Sequence, residues 1–169
     1  FHAGTGKEPR TASGPGGAVI NYVVHAMNTV LQPVVELCSS GVFDRYPKLK
    51  FATIEAGAGW LPYNLDAMDF GHETFSWWVS PKLKYKPSEY YHKHGHSSFE
   101  VDRTAIELRD KIGINSLMWG NDYPHIEGCW PYSEEQINSW SVTGLTEEEK
   151  RDIIGLNAAR LFNIPVPER

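Results

Sequence analysis

The sequence predicts an α/β fold made of four strand–helix units, the content of half an eightfold (β/α)8 barrel. Short apolar runs near residues 1, 51, 95 and 116 are each followed by a loop and then by helical patterning. Three of those runs end on a group able to do chemistry: His2, Glu55 and Asp122. The length, 169 residues with 41% hydrophobic content, suits one domain over residues 1–169 with a real core. A full barrel needs about 250 residues, so a half with long insertions fits. An open, doubly wound sheet shows the same alternation, and pattern alone does not separate the two.

The elements follow in order. The chain begins at Phe1 without Met, and Phe1-His2-Ala3 reads as the last residues of a strand before a glycine-rich turn. The expectation is therefore the C-terminal part of a larger protein. Residues 3 to 17 hold five Gly, two Pro, two Thr and one Ser and read as a loop. From Ala18 to Ser40 the apolar positions Val19, Val23, Ala26, Val30, Val34 and Leu37 recur at helical spacing, with Pro33 set to kink or split the helix and Gly41 to end it. Leu49 to Ile54 suits a strand covered on both faces, and Glu55, Gly57 and Gly59 follow it directly.

Residues 70 to 91 are rich in aromatics and predict a lid or short helices. His94 to Phe99 is a candidate strand. Asp102 or Thr104 can cap a helix from about Arg103 to Ile112, with Thr104 and Glu107 placed as a capping box. Ile114 to Trp119 is the last apolar run. Ser133-Glu134-Glu135-Gln136 and Thr146-Glu147-Glu148-Glu149 are two further capping-box patterns, and the final helix ends near Phe162, before Pro165 and Pro167.

Composition excludes several partners. A formal charge of −5 with 22% charged residues and no long basic run offers nothing for nucleic acid to bind. No apolar stretch approaches the roughly 18 to 20 residues of a membrane span, and the start has no signal-peptide pattern. Cys38 and Cys129 do not suggest a disulfide framework. These features fit a cytoplasmic protein.

The segment Trp119-Gly120-Asn121-Asp122-Tyr123-Pro124-His125 closes a strand with turn residues, an acid and an imidazole. In α/β folds ligands bind beyond the carboxyl ends of parallel strands, which gives Asp122 a chemical reading; the alternative is that it only hydrogen-bonds turn amides. His2, Glu55 and Asp122 stand at three such strand ends. Imidazole with carboxylates suits a divalent transition metal such as zinc, able to acidify bound water or polarise a substrate oxygen. In the plainer reading His2 caps a turn, Glu55 pairs with a loop cation and Asp122 makes an Asx turn. His92-Lys93-His94-Gly95-His96 would align three imidazoles on one strand face, but no acid flanks them, and pocket lining by His96 is the stronger reading. Trp60 stands at the start of the helix after Glu55 and, with His125, is a candidate to line a substrate cleft, although most large aromatics simply fill cores.

Four blocks, FHAGTG, GVFDRYPKLKFATIEAGAGWLP, WGNDYPH and the closing GLNAARLFNIP, resemble in this order the amidohydrolase-related family that includes aminocarboxymuconate-semialdehyde decarboxylase and the resorcylate-type decarboxylases. The resemblance implies a metal-dependent (β/α)8 TIM barrel of which this chain supplies strands five to eight, the C-terminal half. It makes His2 the strand-five metal ligand, and Asp122 the strand-eight aspartate that binds the metal or activates its water. His125 belongs to the same block as Asp122. The chain departs from the family in two ways: the first-strand His-x-His pair is absent, and Glu55 stands where the decarboxylases carry a histidine after strand six.

The function these features predict is a metal-dependent hydrolase acting on a small organic substrate, with zinc as the cofactor, Asp122 and Glu55 as catalytic groups, His2 and Asp122 as metal ligands, and His125, His96 and Trp60 at the substrate. A decarboxylase of the same family is the alternative. A third reading is a non-catalytic half-barrel that covers its open edges by pairing with another copy, and a homo-oligomer is expected.

Overall fold

The computed structural model describes residues 1–3 and 12–166. Most of the glycine-rich loop expected at residues 3 to 17 lies outside them, as does Pro167. The chain divides into two compact units, one of residues 1–56 and 63–95, the other of residues 57–62 and 96–169.

In the first unit the expected strand at the start contracts to a single parallel bridge between His2 and Ile54. Ile54 N–H donates to the Phe1 carbonyl at 2.7 Å and Ala3 N–H to the Ile54 carbonyl at 3.0 Å. The helix expected over residues 18 to 40 forms in pieces: α1 (Gly17–Ile20), a π-helical turn (Asn21–Ala26), a 3-10 turn (Met27–Val30) and α2 (Leu31–Ser39). Pro33 explains the restart. It falls in the first turn of α2, where its missing N–H breaks no helical hydrogen bond. Gly41, at φ 68°, turns the chain into α3 (Val42–Arg45), and strand β1 (Phe51–Thr53) follows with Phe51 and Thr53 buried.

Helix α4 (Leu61–Thr74) ends and helix α5 (Pro87–His94) begins within the aromatic-rich stretch, and Phe75, Trp77, Trp78 and Tyr85 lie in the irregular segment between them. Pro87 opens α5, and the Asp69 carboxylate takes the Ser88 N–H at 2.9 Å and its hydroxyl at 2.7 Å. The core of this unit is aromatic. The Phe43 ring stacks on His94 with centroids 4.3 Å apart, on Phe51 at 5.7 Å and on Tyr90 at 6.0 Å.

In the second unit β2 (Gly95–Phe99, its first residue belonging to the first unit) runs parallel to β3 (Leu117–Trp119), with Ser97 opposite Leu117, Ser98 opposite Met118 and Phe99 opposite Trp119. Between them lie α6 (Arg103–Glu107) and α7 (Arg109–Ile112). Asp102, not Thr104, is the cap: its Oδ1 accepts the Ala105 N–H at 2.9 Å. After β3 come α8 (Ser133–Asn138), α9 (Glu147–Arg151) and α10 (Asn157–Phe162). The Thr146–Glu149 capping box forms as expected. Ser133 instead lies inside α8, and Tyr132 precedes it. Phe99, Ile106, Ile112, Leu117, Trp140 and Ile153 make the core. Asn157, itself buried, donates from Nδ2 to the Ile114 carbonyl at 2.8 Å and the Leu117 carbonyl at 2.7 Å, which ties α10 to the entry of β3.

The expected half of a (β/α)8 barrel is corrected here. The described residues form three strands of three, five and three residues in an open sheet, and no closed eight-stranded barrel. The physical reason is the strand count: barrel closure needs a full set of staggered strands, and the described residues supply three. The β/α alternation survives, and the closure does not. No helix among the described residues is long and apolar enough to cross a membrane.

Candidate functional site

Among the described residues each unit contains an acid–imidazole pair that lies beyond a strand end. In the first unit, Glu55 follows β1 and its bridge residue Ile54. The His2–Ile54 bridge brings the two side chains together, with His2 Nε2 2.5 Å from Glu55 Oε2. His2 Nδ1 faces its neighbour's carbonyl, Ala3 O, at 2.8 Å. A carbonyl can only accept, so this contact places a proton on Nδ1, while Nε2 faces the Glu55 carboxyl group. Glu55 is the more enclosed partner, its side chain 13% exposed against 47% for His2.

In the second unit Asp122 stands three residues past the end of β3, and its Oδ2 lies 3.0 Å from His125 Nδ1. A turn brings them together, with His125 N–H donating to the Asp122 carbonyl at 2.9 Å. The Asx turn anticipated for Asp122 belongs to its neighbour. Asn121 Oδ1 accepts the Tyr123 N–H at 3.2 Å, its carbonyl accepts the Cys129 N–H at 3.1 Å, and its Nδ2 donates to Ser133 Oγ at 3.4 Å. Asn121 shapes the loop and leaves the Asp122 carboxylate to the imidazole. Gly128 is required there, because a Cβ on it would come within 2.4 Å of the Asn121 carbonyl oxygen.

Both carboxylates share an uncommon backbone state. Glu55 at φ 59° and Asp122 at φ 56° are two of three non-glycine residues with positive φ among the described residues. A side chain there costs about 1–2 kcal/mol over an ordinary conformation, and such strain gathers at functional sites.

Trp60 donates from Nε1 to the Gly57 carbonyl at 3.2 Å, which tucks its indole against its own loop. That loop is held from α6: Asp102 Oδ2 accepts the Ala58 N–H at 2.8 Å and the Gly59 N–H at 2.7 Å. His96 lies half-buried on β2, on the strand face opposite Ser97 and Phe99. The aligned trio of His92, His94 and His96 does not form, because α5 runs through His94 and only His96 is in the strand. His94 is instead a core residue: Nδ1 meets the Leu49 carbonyl at 2.9 Å, and burial pushes its pKa below the ordinary 6.5. The sequence reading missed Asn121 and the second role of Asp102. The Asn-Asp pair before Tyr123 could have signalled the first, since asparagine is the commoner Asx-turn former in such a loop.

The donor set fits a divalent metal. Imidazole nitrogens and carboxylate oxygens suit first-row transition ions, and His2 has one ring nitrogen turned to a backbone carbonyl, as metal-bound histidines do, with the other facing a carboxylate.

Comparison with known proteins decides the family. A model of the amidohydrolase family matches residues 1–164. The chain belongs to the amidohydrolase family. This match runs along nearly the whole chain, which corrects the expectation that the resemblance is confined to a C-terminal half of the family's domain. Among curated relatives, a γ-resorcylate decarboxylase of a Rhizobium species is 24% identical over 139 residues, 77% of this chain and 39% of that protein. The chain thus spans about two fifths of the length of the curated relatives it matches. Among solved structures, 5-carboxyvanillate decarboxylase from Sphingomonas paucimobilis is 28% identical with a TM-score of 0.67, over 79% of this chain and 39% of that one. A dihydroxybenzoic acid decarboxylase from a Polaromonas species, solved with manganese and 2-nitroresorcinol, is 21% identical with a TM-score of 0.64, over 92% of this chain and 48% of that one. The metal in that structure is manganese, which corrects the expectation of zinc.

Proposed function

We propose that this protein is a metal-dependent decarboxylase that removes the carboxyl group of a small aromatic acid. The observation that carries the reading is the 28% identity, over 79% of the chain, to a 5-carboxyvanillate decarboxylase. The curated γ-resorcylate decarboxylases point to the same substrate class. Decarboxylation therefore takes the place of hydrolysis as the leading reaction.

In this reading His2 and Asp122 are candidate ligands for a divalent metal, with manganese as the favoured ion. When bound, the ion would polarise the oxygens of the substrate's carboxylate and of its neighbouring phenol. The chain's own residues supply the rest. Loss of CO2 leaves electron density on a ring carbon, and a proton must reach that carbon. Glu55, enclosed and 2.5 Å from an imidazole, is placed to hold and deliver it. Asp122 orients the His125 ring through Nδ1. His125, His96 and Trp60 line the substrate. Glu55 in the position of the family's histidine makes the proton donor a carboxyl group in place of an imidazole.

The test is CO2 release from 2,6-dihydroxybenzoate and 5-carboxyvanillate by metal-stripped protein resupplied with Mn²⁺ or Zn²⁺, beside hydrolysis of a panel of esters and lactones. The reading expects manganese-restored CO2 release that Asp122→Asn lowers by about 100-fold or more with the fold intact. Ester or lactone hydrolysis without CO2 release would overturn it.

A further inference from the structure

The first unit contains a cavity that plays no part in the chemistry above. It lies between α2 and α4, has a volume of about 360 Å³, and is walled by Val35, Met68, Phe75 and Val79. Gly71 forms part of the lining, and a Cβ built on it meets nothing within 4 Å, so the space beside this turn of α4 is open. The polar members of the lining are Ser39, Asn64 and His72. Asn64 is 7% exposed, and its Nδ2 has no hydrogen-bond partner among the described residues.

A buried amide without a partner is costly, and native structures satisfy nearly all such groups. A helix position facing an apolar cavity would be served better by leucine, which fills space and needs no partner. The asparagine χ2 torsion is broad, so a small rotation turns its N–H toward an incoming acceptor. The volume falls in the range of small-molecule pockets, and far smaller apolar cavities already bind benzene.

We propose that this cavity is a second ligand site, for a single-ring aromatic molecule bearing one hydrogen-bond acceptor, with the ring packed between Val35, Met68 and Phe75 and the acceptor taken by Asn64 Nδ2. The site is independent of the decarboxylase reading, since neither Asn64 nor Gly71 belongs to that machinery.

Acetophenone and ethylbenzene, nearly equal in shape and differing in the carbonyl, provide the test by titration of the full chain under protein-observed NMR. Acetophenone should give saturable shifts at the Val35 and Gly71 amides, with an affinity about tenfold above that of ethylbenzene. Asn64→Leu should bring the two affinities within about twofold of each other, since it removes the donor and keeps the apolar walls. Gly71→Phe should abolish both, with the circular dichroism of the parent retained. Absence of saturable acetophenone shifts in the unaltered protein overturns the proposal and needs no variant to fold. Equal wild-type affinities, or a preference that survives Asn64→Leu, overturn the role of Asn64.

Discussion

Glu55 and Asp122 lie in different compact units yet share one backbone state, a left-handed φ of 59° and 56° just beyond a buried strand. What they have in common is a carboxylate presented at a strand end. A β-branched residue in this region is a severe outlier, whereas glycine adopts it freely. Asp122→Gly should therefore be more stable than Asp122→Val by about 1–2 kcal/mol in urea denaturation, while both lose turnover. Equal stabilities would show that the positive φ carries no strain.

Asp102 joins the start of α6 to the loop at Ala58 and Gly59 through three backbone N–H groups. Replacing it with alanine strands all three donors. Asp102→Ala should cost about 2–4 kcal/mol, well above an ordinary cap deletion. Gly59→Ala should be destabilising too, since its Cβ would sit 2.7 Å from Asp102 Oδ1 and 2.8 Å from Thr104 Cβ. Denaturant midpoints of the two variants check both.

Burial lowers the His94 pKa from 6.5, with Lys50 and Lys93 acting in the same direction against the favourable Leu49 carbonyl. The folded protein thus keeps this imidazole neutral at pH values where the unfolded chain protonates it. The stabilisation is complete above pH 6.5 and declines as pH falls from there toward the lower folded value. Its slope is at most one proton, about 1.4 kcal/mol per pH unit. His94→Phe keeps the stack on Phe43 and should flatten this part of the stability–pH curve; an unchanged slope would assign the acid sensitivity to other groups.

Cys38 is buried and 1% exposed, and desolvation with help from the Asp69 charge pushes its thiol up to about 12. At pH 8 only roughly one molecule in 10⁴ carries the thiolate. Cys38 should therefore react with a thiol reagent at the rate at which the protein opens. In a Cys129→Ser background, labelling faster than hydrogen exchange of the buried α2 amides would contradict this placement.

Much of this was legible from residue order. Strands β1, β2 and β3 fall where short apolar runs meet glycine and polar residues, and the Thr146–Glu149 box was readable because its two groups lie three positions apart. The start of the chain misled. Phe1 and His2 have a strand's composition, yet their pairing is a single bridge between His2 and Ile54. The apolar spacing from Ala18 to Ser40 predicts a helix that Pro33 kinks or splits, yet the backbone already passes through π and 3-10 turns before α2, a change of hydrogen-bond register that apolar spacing does not record. The two acid–imidazole pairs divide in the same way. Asp122 and His125 are three apart on a turn and could be paired by eye, whereas His2 and Glu55 meet only through the bridge to Ile54.

Asn121 and Asp122 divide between adjacent residues two tasks that one acid often combines. Asn121 holds the path of the loop through Tyr123, Cys129 and Ser133, and Asp122 supplies charge to His125. The side chain at position 122 can therefore be exchanged without redrawing the loop that presents it. A scaffold arranged this way can move between chemistries by changing one side chain, whereas a change at Asn121 alters where every later residue of the loop points.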